Sequence, residues 1–165
     1  MTENLITMKT IIDALDDIDG ILSRERNILL LKGGYYIGNV YMWNDGSWYY
    51  GDTVNNCAHG NGIYYVYIGD GVYYKYIGEF KNGRSYGYGI CKTSDGEYYK
   101  GQWYDGLRNG YGTTYLHTGD TEAGMYNMGV RDGWFKHIYS KTRSGVAGYT
   151  VYYDMDEIKE YGELL

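Results

Sequence analysis

The fold is decided by Tyr99-Lys-Gly-Gln-Trp-Tyr-Asp-Gly-Leu-Arg-Asn-Gly-Tyr-Gly112. This stretch interleaves two residue types with opposite effects on a sheet. Glycine weakens a strand and bares its backbone, whereas large aromatics carry much buried area. Side chains alternate along a strand, so Tyr99, Gly101 and Trp103 share one face. Asp105-Gly106 supplies the positive φ of a tight turn. The segment from Gly110 to Tyr115 reads as the returning strand, and 116–121 as the turn into the next unit. A ring needs room beside it, and a glycine in the neighbouring strand leaves that room.

The pattern recurs in both directions. Gly-x-Gly occurs at Gly60/Gly62, Gly87/Gly89 and Gly110/Gly112, each followed seven residues later by Gly69, Gly96 and Gly119. Tyr76-Ile-Gly78-Glu-Phe80 and Tyr99-Lys-Gly101-Gln-Trp103 lie 23 residues apart, and another 23 lead to Glu122-Ala-Gly124-Met-Tyr126. There glutamate replaces the leading tyrosine. Upstream, Tyr49-Tyr-Gly51 precedes Tyr76 by 27 residues, which assigns four extra residues to a loop near Gly69-Asp-Gly-Val72. Tyr36-Ile-Gly38 is a more degenerate copy. Asp45-Gly46, Asp95-Gly96 and Asp132-Gly133 read as further turns. Fixed periods of this length mark repeat architectures, in which each unit stacks on its neighbours.

Composition agrees. Of 165 residues, 24 are tyrosine, 26 glycine and none proline, which favours an all-β chain with many turns. Residues 1–32 carry six acids and four bases, residues 33–147 ten of each, and residues 148–165 five acids and one base. A neutral array with acidic ends has no basic stripe for phosphates, which disfavours nucleic acid and direct attraction to an anionic bilayer. Cys57 and Cys91 lack paired spacing, and the first residues lack the shape of a signal peptide, so a reducing cytoplasm is the expected location.

The spacing predicts three regions. Residues 1–32 form a helical cap segment, with Leu5, Met8, Ile12 and Leu15 as the apolar stripe of a helix over 2–19; 21–32 reads equally as helix or strand. Residues 33–148 form the hairpin array. Residues 149–165 hold a final strand and a short C-terminal helix. Asp154-Met-Asp-Glu157 resembles a capping box, and Ile158, Tyr161 and Leu165 form an apolar stripe broken near Gly162. Helices at both ends would cover the open sheet edges; an uncovered edge would invite a homodimer.

These units resemble the MORN repeat family (membrane occupation and recognition nexus), over roughly residues 35–140. Tyr99, Gly101, Trp103, Gly106, Gly110, Gly112 and Gly119 match its pattern position by position. Tyr76, Gly78, Phe80, Gly83, Gly87, Gly89 and Gly96 match with Phe for Trp. A further copy keeps Gly124, Tyr126, Gly129 and Gly133, with Phe135 standing where the last glycine belongs. The resemblance implies a single-layer antiparallel sheet curved into a groove, with aromatic positions tending to line its concave side, and a scaffold or adaptor role.

Catalysis would need an oriented nucleophile, an acid–base pair or a metal. Cys57 and His59 offer at most two ligands, His117 sits in a turn, and Ser144 lacks a nucleophile-elbow context, so neither enzyme activity nor a cofactor or metal is expected. No Gly-x-Gly opens a helix, which excludes a phosphate loop. The expected site is the aromatic face, Tyr76, Phe80, Tyr99, Trp103 and Tyr126, binding a protein or peptide. The alternatives are a small acidic inhibitor or antitoxin-like protein that neutralises a basic partner, and a groove for a small ligand or lipid.

Overall fold

The computed structural model describes residues 35–37, 40–143 and 145–165. They form twelve strands: β1 (Tyr35–Ile37), β2 (Val40–Met42), β3 (Trp48–Val54), β4 (Cys57–Gly69), β5 (Val72–Lys81), β6 (Arg84–Thr93), β7 (Tyr98–Tyr104), β8 (Leu107–Tyr115), β9 (Thr121–Asn127), β10 (Val130–Arg143), β11 (Val146–Asp154) and β12 (Glu157–Leu164). Each pairs antiparallel with the next, so one sheet runs from β1 to β12 in chain order. It is a repeated β-hairpin array built on strictly local pairing. The predicted N-terminal helix lies outside the described residues.

Two-residue turns alternate with longer ones. Asp105 and Gly106 have φ of 49° and 87°, the paired positive values of a type I′ turn whose twist matches its strands. Asn82-Gly83, Met128-Gly129 and Met155-Asp156 repeat this. Successive turns are tied together. The N–H groups of Gly83, Gly106, Gly129 and Asp156 donate to the carbonyls of Ala58, Ser85, Arg108 and Arg131 in the preceding hairpin, at 2.8–3.0 Å.

Ladder partners line up across the sheet. One row runs Tyr41, Tyr49, Tyr64, Tyr76, Cys91, Tyr99, Thr114, Glu122, His137 and Tyr149. Two residues along each strand, a second row runs Gly51, Gly62, Gly78, Gly89, Gly101, Gly112, Gly124, Phe135 and Val151. Gly101 and Gly112 face each other, and the Tyr99 ring lies over both, so a Cβ at either would overlap its hydroxyl end. Tyr49 lies over Gly51 and Gly62, and Tyr76 over Gly78 and Gly89, in the same way. The ring hydroxyls donate back to the chain, Tyr49 to the Asp52 carbonyl (2.7 Å), Tyr76 to Glu79 (3.0 Å) and Tyr99 to Gln102 (3.1 Å).

The first glycine of Gly-x-Gly has a different task. Gly110 has φ of 99° and follows the register shift between Gly101 and Trp103, a bulge that needs this backbone. Gln102 fastens the bulge by accepting the Tyr111 N–H at 2.8 Å. Glu79 does the same for Tyr88 (3.2 Å) and Asp52 for Asn61 (3.3 Å).

Four expectations are corrected. There is no C-terminal helix; no helix occurs among the described residues, and none there is long and apolar enough to cross a membrane. Met155-Asp156 is a turn, with Asp154 paired to Glu157, and Ile158, Tyr161 and Leu164 face Tyr153, Val151 and Tyr149. Two bulges in β12 turn a three-residue spacing into one strand face, which imitates a helical stripe. Gly162 does not break a helix; its missing side chain makes room for Thr150 and the Trp134 ring. Asp132-Gly133 is not a turn but the bulge of β10, at the place of Asn109-Gly110. The four extra residues lengthen β4 and β5, paired out to Gly69 and Val72, rather than a loop. The array also continues beyond residue 148, since β11 already opens at Val146.

Candidate functional site on the ring face

The tyrosine row, the glycine row and the row beyond it share one face of the sheet. The third row holds Phe80 and Ser85, Trp103 and Arg108, Tyr126 and Arg131, and Tyr153 and Ile158 as facing pairs. Its rings stand between those of the first row. Tyr49, Phe80, Tyr76, Trp103, Tyr99, Tyr126, Phe135 and Tyr153 form one unbroken file, each edge-on to the next, with centroids 5.0–5.4 Å apart and planes crossed by 83–87°. Edge-to-face pairs are favoured by the ring quadrupole. The Trp103 indole also donates to the Gly89 carbonyl at 3.2 Å. This file is the interior of a one-layer sheet. The opposite face has its own cluster near the start, Val40, Trp48, Ile63 and Ile77.

The structure brings the predicted site residues together, chiefly as interior. Tyr99 is only 1% exposed, Tyr76, Phe80 and Tyr126 are also buried, and Trp103 is half-buried. Burial pushes the Tyr49 hydroxyl up to about 12 and raises Tyr76 and Tyr99 as well, so these phenols stay protonated at neutral pH. The open surface is built from their neighbours. Two hollows, of about 520 and 450 Å³, adjoin along this face and share Tyr64, Phe80 and Gly83. Tyr41, Trp43, Ala58 and Cys57 line the first, and Tyr74, Cys91, Thr93 and Trp103 the second. Tyr41, Trp43, Tyr64 and Tyr74 were not picked out from the sequence. Their signal was available in the pairing register, which places Tyr41 and Tyr64 on either side of Tyr49 and so in the Tyr99 row. Both cysteines are free, and burial raises the Cys91 thiol above its ordinary value, which makes it a poor nucleophile.

Where the repeat departs from its pattern, a polar cluster replaces a ring. Glu122 takes the leading tyrosine position, and the slot over Gly124 is filled from the opposite strand by Phe135, whose ring would lie 2.5 Å from a Cβ there. Glu122 turns to His137 (Oε1 to Nδ1, 3.2 Å) and Arg131 (Oε2 to Nη1, 3.5 Å). Asp156 accepts from the Arg131 side chain (2.8 Å) and backbone (2.9 Å). Arg131 lies over Tyr153, 4.1 Å from its centroid, and His137 stacks flat on Tyr149 at 4.6 Å. Burial lowers the His137 pKa, with Glu122 pulling it back up and Arg131 reinforcing the fall. Desolvation pushes the Asp156 carboxyl up, but the Arg131 hydrogen bonds together with the charges of Arg131 and Arg108 outweigh it, so Asp156 sits below the usual carboxylate range.

Among the described residues, no three of His, Cys, Asp and Glu gather as a metal site, and no buried side-chain nitrogen or oxygen lacks a partner. The Glu122 cluster is internally satisfied and acts as a clasp between β9, β10 and the last turn. A scan against protein-family models finds no match, and a search of curated proteins finds none either.

Proposed function

We propose that this chain is a non-catalytic MORN-type binding module that takes an extended segment of a partner protein along the ring-face groove. The observation that carries this reading is the pair of adjoining hollows, whose aromatic edges are backed by a locked file of rings. Such edges are held before a ligand arrives, so little side-chain entropy is lost on binding. Tyrosine and tryptophan edges are typical anchors of protein interfaces. Two free thiols fit a reducing compartment such as the cytoplasm. End-to-end dimerisation through β12 is disfavoured, since that strand is twice bulged and carries Glu157, Glu160 and Glu163.

The test is a photo-crosslinking amino acid placed singly at Tyr64, Tyr74 or Tyr111, with products identified by mass spectrometry. Tyr111 is exposed on the opposite face. One partner captured from Tyr64 and Tyr74 but not Tyr111 supports the groove. Capture from Tyr111 alone would transfer the site to the other face. An acidic inhibitor acting through its C-terminal strand would instead lose affinity steeply with salt, with no crosslink from either groove position.

A further inference from the structure

The charged side chains in the three rows of the ring face are Glu122, Arg131 and Arg108. Arg131 is paired with Glu122 and, more closely, with Asp156. Arg108 stands directly opposite Trp103 in the β7–β8 ladder; Trp103 lines the second hollow, and Arg108 lies just outside that lining. Its guanidinium lies 4.6 Å from the Tyr99 centroid and 5.7 Å from that of Tyr126. It makes no hydrogen bond and no ion pair among the described residues. A half-buried guanidinium keeps five N–H donors in a fixed fork suited to a carboxylate.

The molecule holds a template for the missing partner. Arg131 occupies the equivalent position one unit on, 23 residues later, and lies on a tyrosine in the same way. The backbone around it is equivalent too. Asp156 N–H donates to the Arg131 carbonyl as Gly129 N–H donates to the Arg108 carbonyl. Asp156 then sends its carboxylate to Arg131. At Arg108 the turn residue is Gly129, so no carboxylate reaches ion-pair distance; Asp156 acts on Arg108 only through its field, from farther away. A Cβ at Gly129 would meet only Leu107, at 3.7 Å, so the space is open, and the φ of +99° is the strain a side chain there would carry, against 69° at Asp156.

Resting on the groove reading above, we propose that Arg108 receives an aspartate or glutamate side chain of the bound segment, in the place Asp156 holds at Arg131. The partner is then an extended peptide with apolar or aromatic residues beside an acid. A carboxylate is favoured over a lipid phosphate because the template is a carboxylate held over a ring.

The probe is a library of displayed linear peptides selected on the full chain, followed by anisotropy titration of the consensus peptide and its Asn or Gln counterpart. Selected peptides should be enriched in Asp or Glu. Replacing that acid in the peptide should weaken binding about tenfold. Arg108→Gln should do the same, with no further loss for the neutral peptide, and Arg108→Lys should recover part of the effect. Gly129→Asp should abolish the acid preference while Arg108 stays in place, which separates an occupied site from a damaged fold. Selection of peptides with no acidic preference, or an acidic preference untouched by Arg108→Gln and Gly129→Asp, would overturn the inference and leave the groove standing. Selection of no peptide at all would overturn both. Binding of phosphatidylserine vesicles that depends on Arg108 would reassign the site to a lipid headgroup and also overturn it.

Discussion

The hairpin β7–β8 and the hairpin β9–β10 solve one packing problem in opposite ways. In the first, the ring comes from the leading strand: Tyr99 lies over Gly101 and Gly112, and its hydroxyl returns to the Gln102 carbonyl. In the second, Glu122 holds the tyrosine position, and Phe135 on the returning strand reaches over Gly124. The file of crossed rings passes through both hairpins without a break. The repeat therefore preserves a ring over a glycine slot and not a residue type at a position. Moving the ring to the other strand leaves position 122 for a carboxylate, which pairs with His137 and with an arginine, Arg131, that the first hairpin also has as Arg108.

Several measurements can break or sharpen this contrast, beginning with the largest effect. Tyr99→Ala and Phe135→Ala each empty a buried aromatic site and should cost about 3–5 kcal/mol by denaturant titration. Equal losses are expected despite the different strands; a Phe135→Ala loss under about 1 kcal/mol would show that the second slot is not part of the interior. Gly112→Ala drives a methyl into the Tyr99 ring and should cost about 3 kcal/mol. Gly106→Ala meets no atom within 4 Å and should cost only the backbone strain of φ +87°, about 1–2 kcal/mol.

The ring-slot principle was legible in the sequence, because Tyr99, Gly101 and Gly112 recur at fixed spacing and a ring beside a glycine reads directly. The β7–β8 hairpin followed from Asp105-Gly106, whereas the same dipeptide at Asp132-Gly133 is a bulge inside β10. What was not legible depends on pairing across strands. Glu122 and Phe135 register as two unrelated departures until the ladder sets Phe135 against Gly124. The C-terminal segment misled for a related reason. The spacing of Ile158 and Tyr161 fits a helix, and only the bulges of β12 show that a strand can carry it. The two hollows lay half hidden because alignment on glycines passes over Tyr41, Tyr64 and Tyr74, which the register adds.

Acid should distinguish the two hairpins next. His137 has a folded pKa below its unfolded value of about 6.5. Between the two values the unfolded chain binds more protons, so the contribution of His137 is complete above about pH 6.5 and is lost as pH falls toward the lowered folded value. Glu122, Arg131, Tyr149 and Tyr153 face the imidazole, and Glu122 moderates the effect. Urea titrations from pH 7.5 to 5 should show falling stability, with the slope reduced in His137→Gln. An unchanged slope would remove the histidine from the account.

The smallest effect concerns the turns. Met128 adopts φ of 47° where the equivalent positions hold Asp105 and Asn82, residues that tolerate this region. Met128→Asn should raise stability by about 0.5–1 kcal/mol in the same urea assay. A loss would mean that the exposed methionine makes a contact worth more than its strain.

The most direct test of the ring-slot claim is a double-mutant cycle on Glu122→Tyr and Phe135→Gly. Together these changes convert the second hairpin to the pattern of the first. Alone, Glu122→Tyr crowds a slot already filled, and Phe135→Gly empties it. The account predicts that the double variant is more stable than the sum of the single losses implies, by about 1–3 kcal/mol of coupling. Strict additivity of the two losses would contradict it.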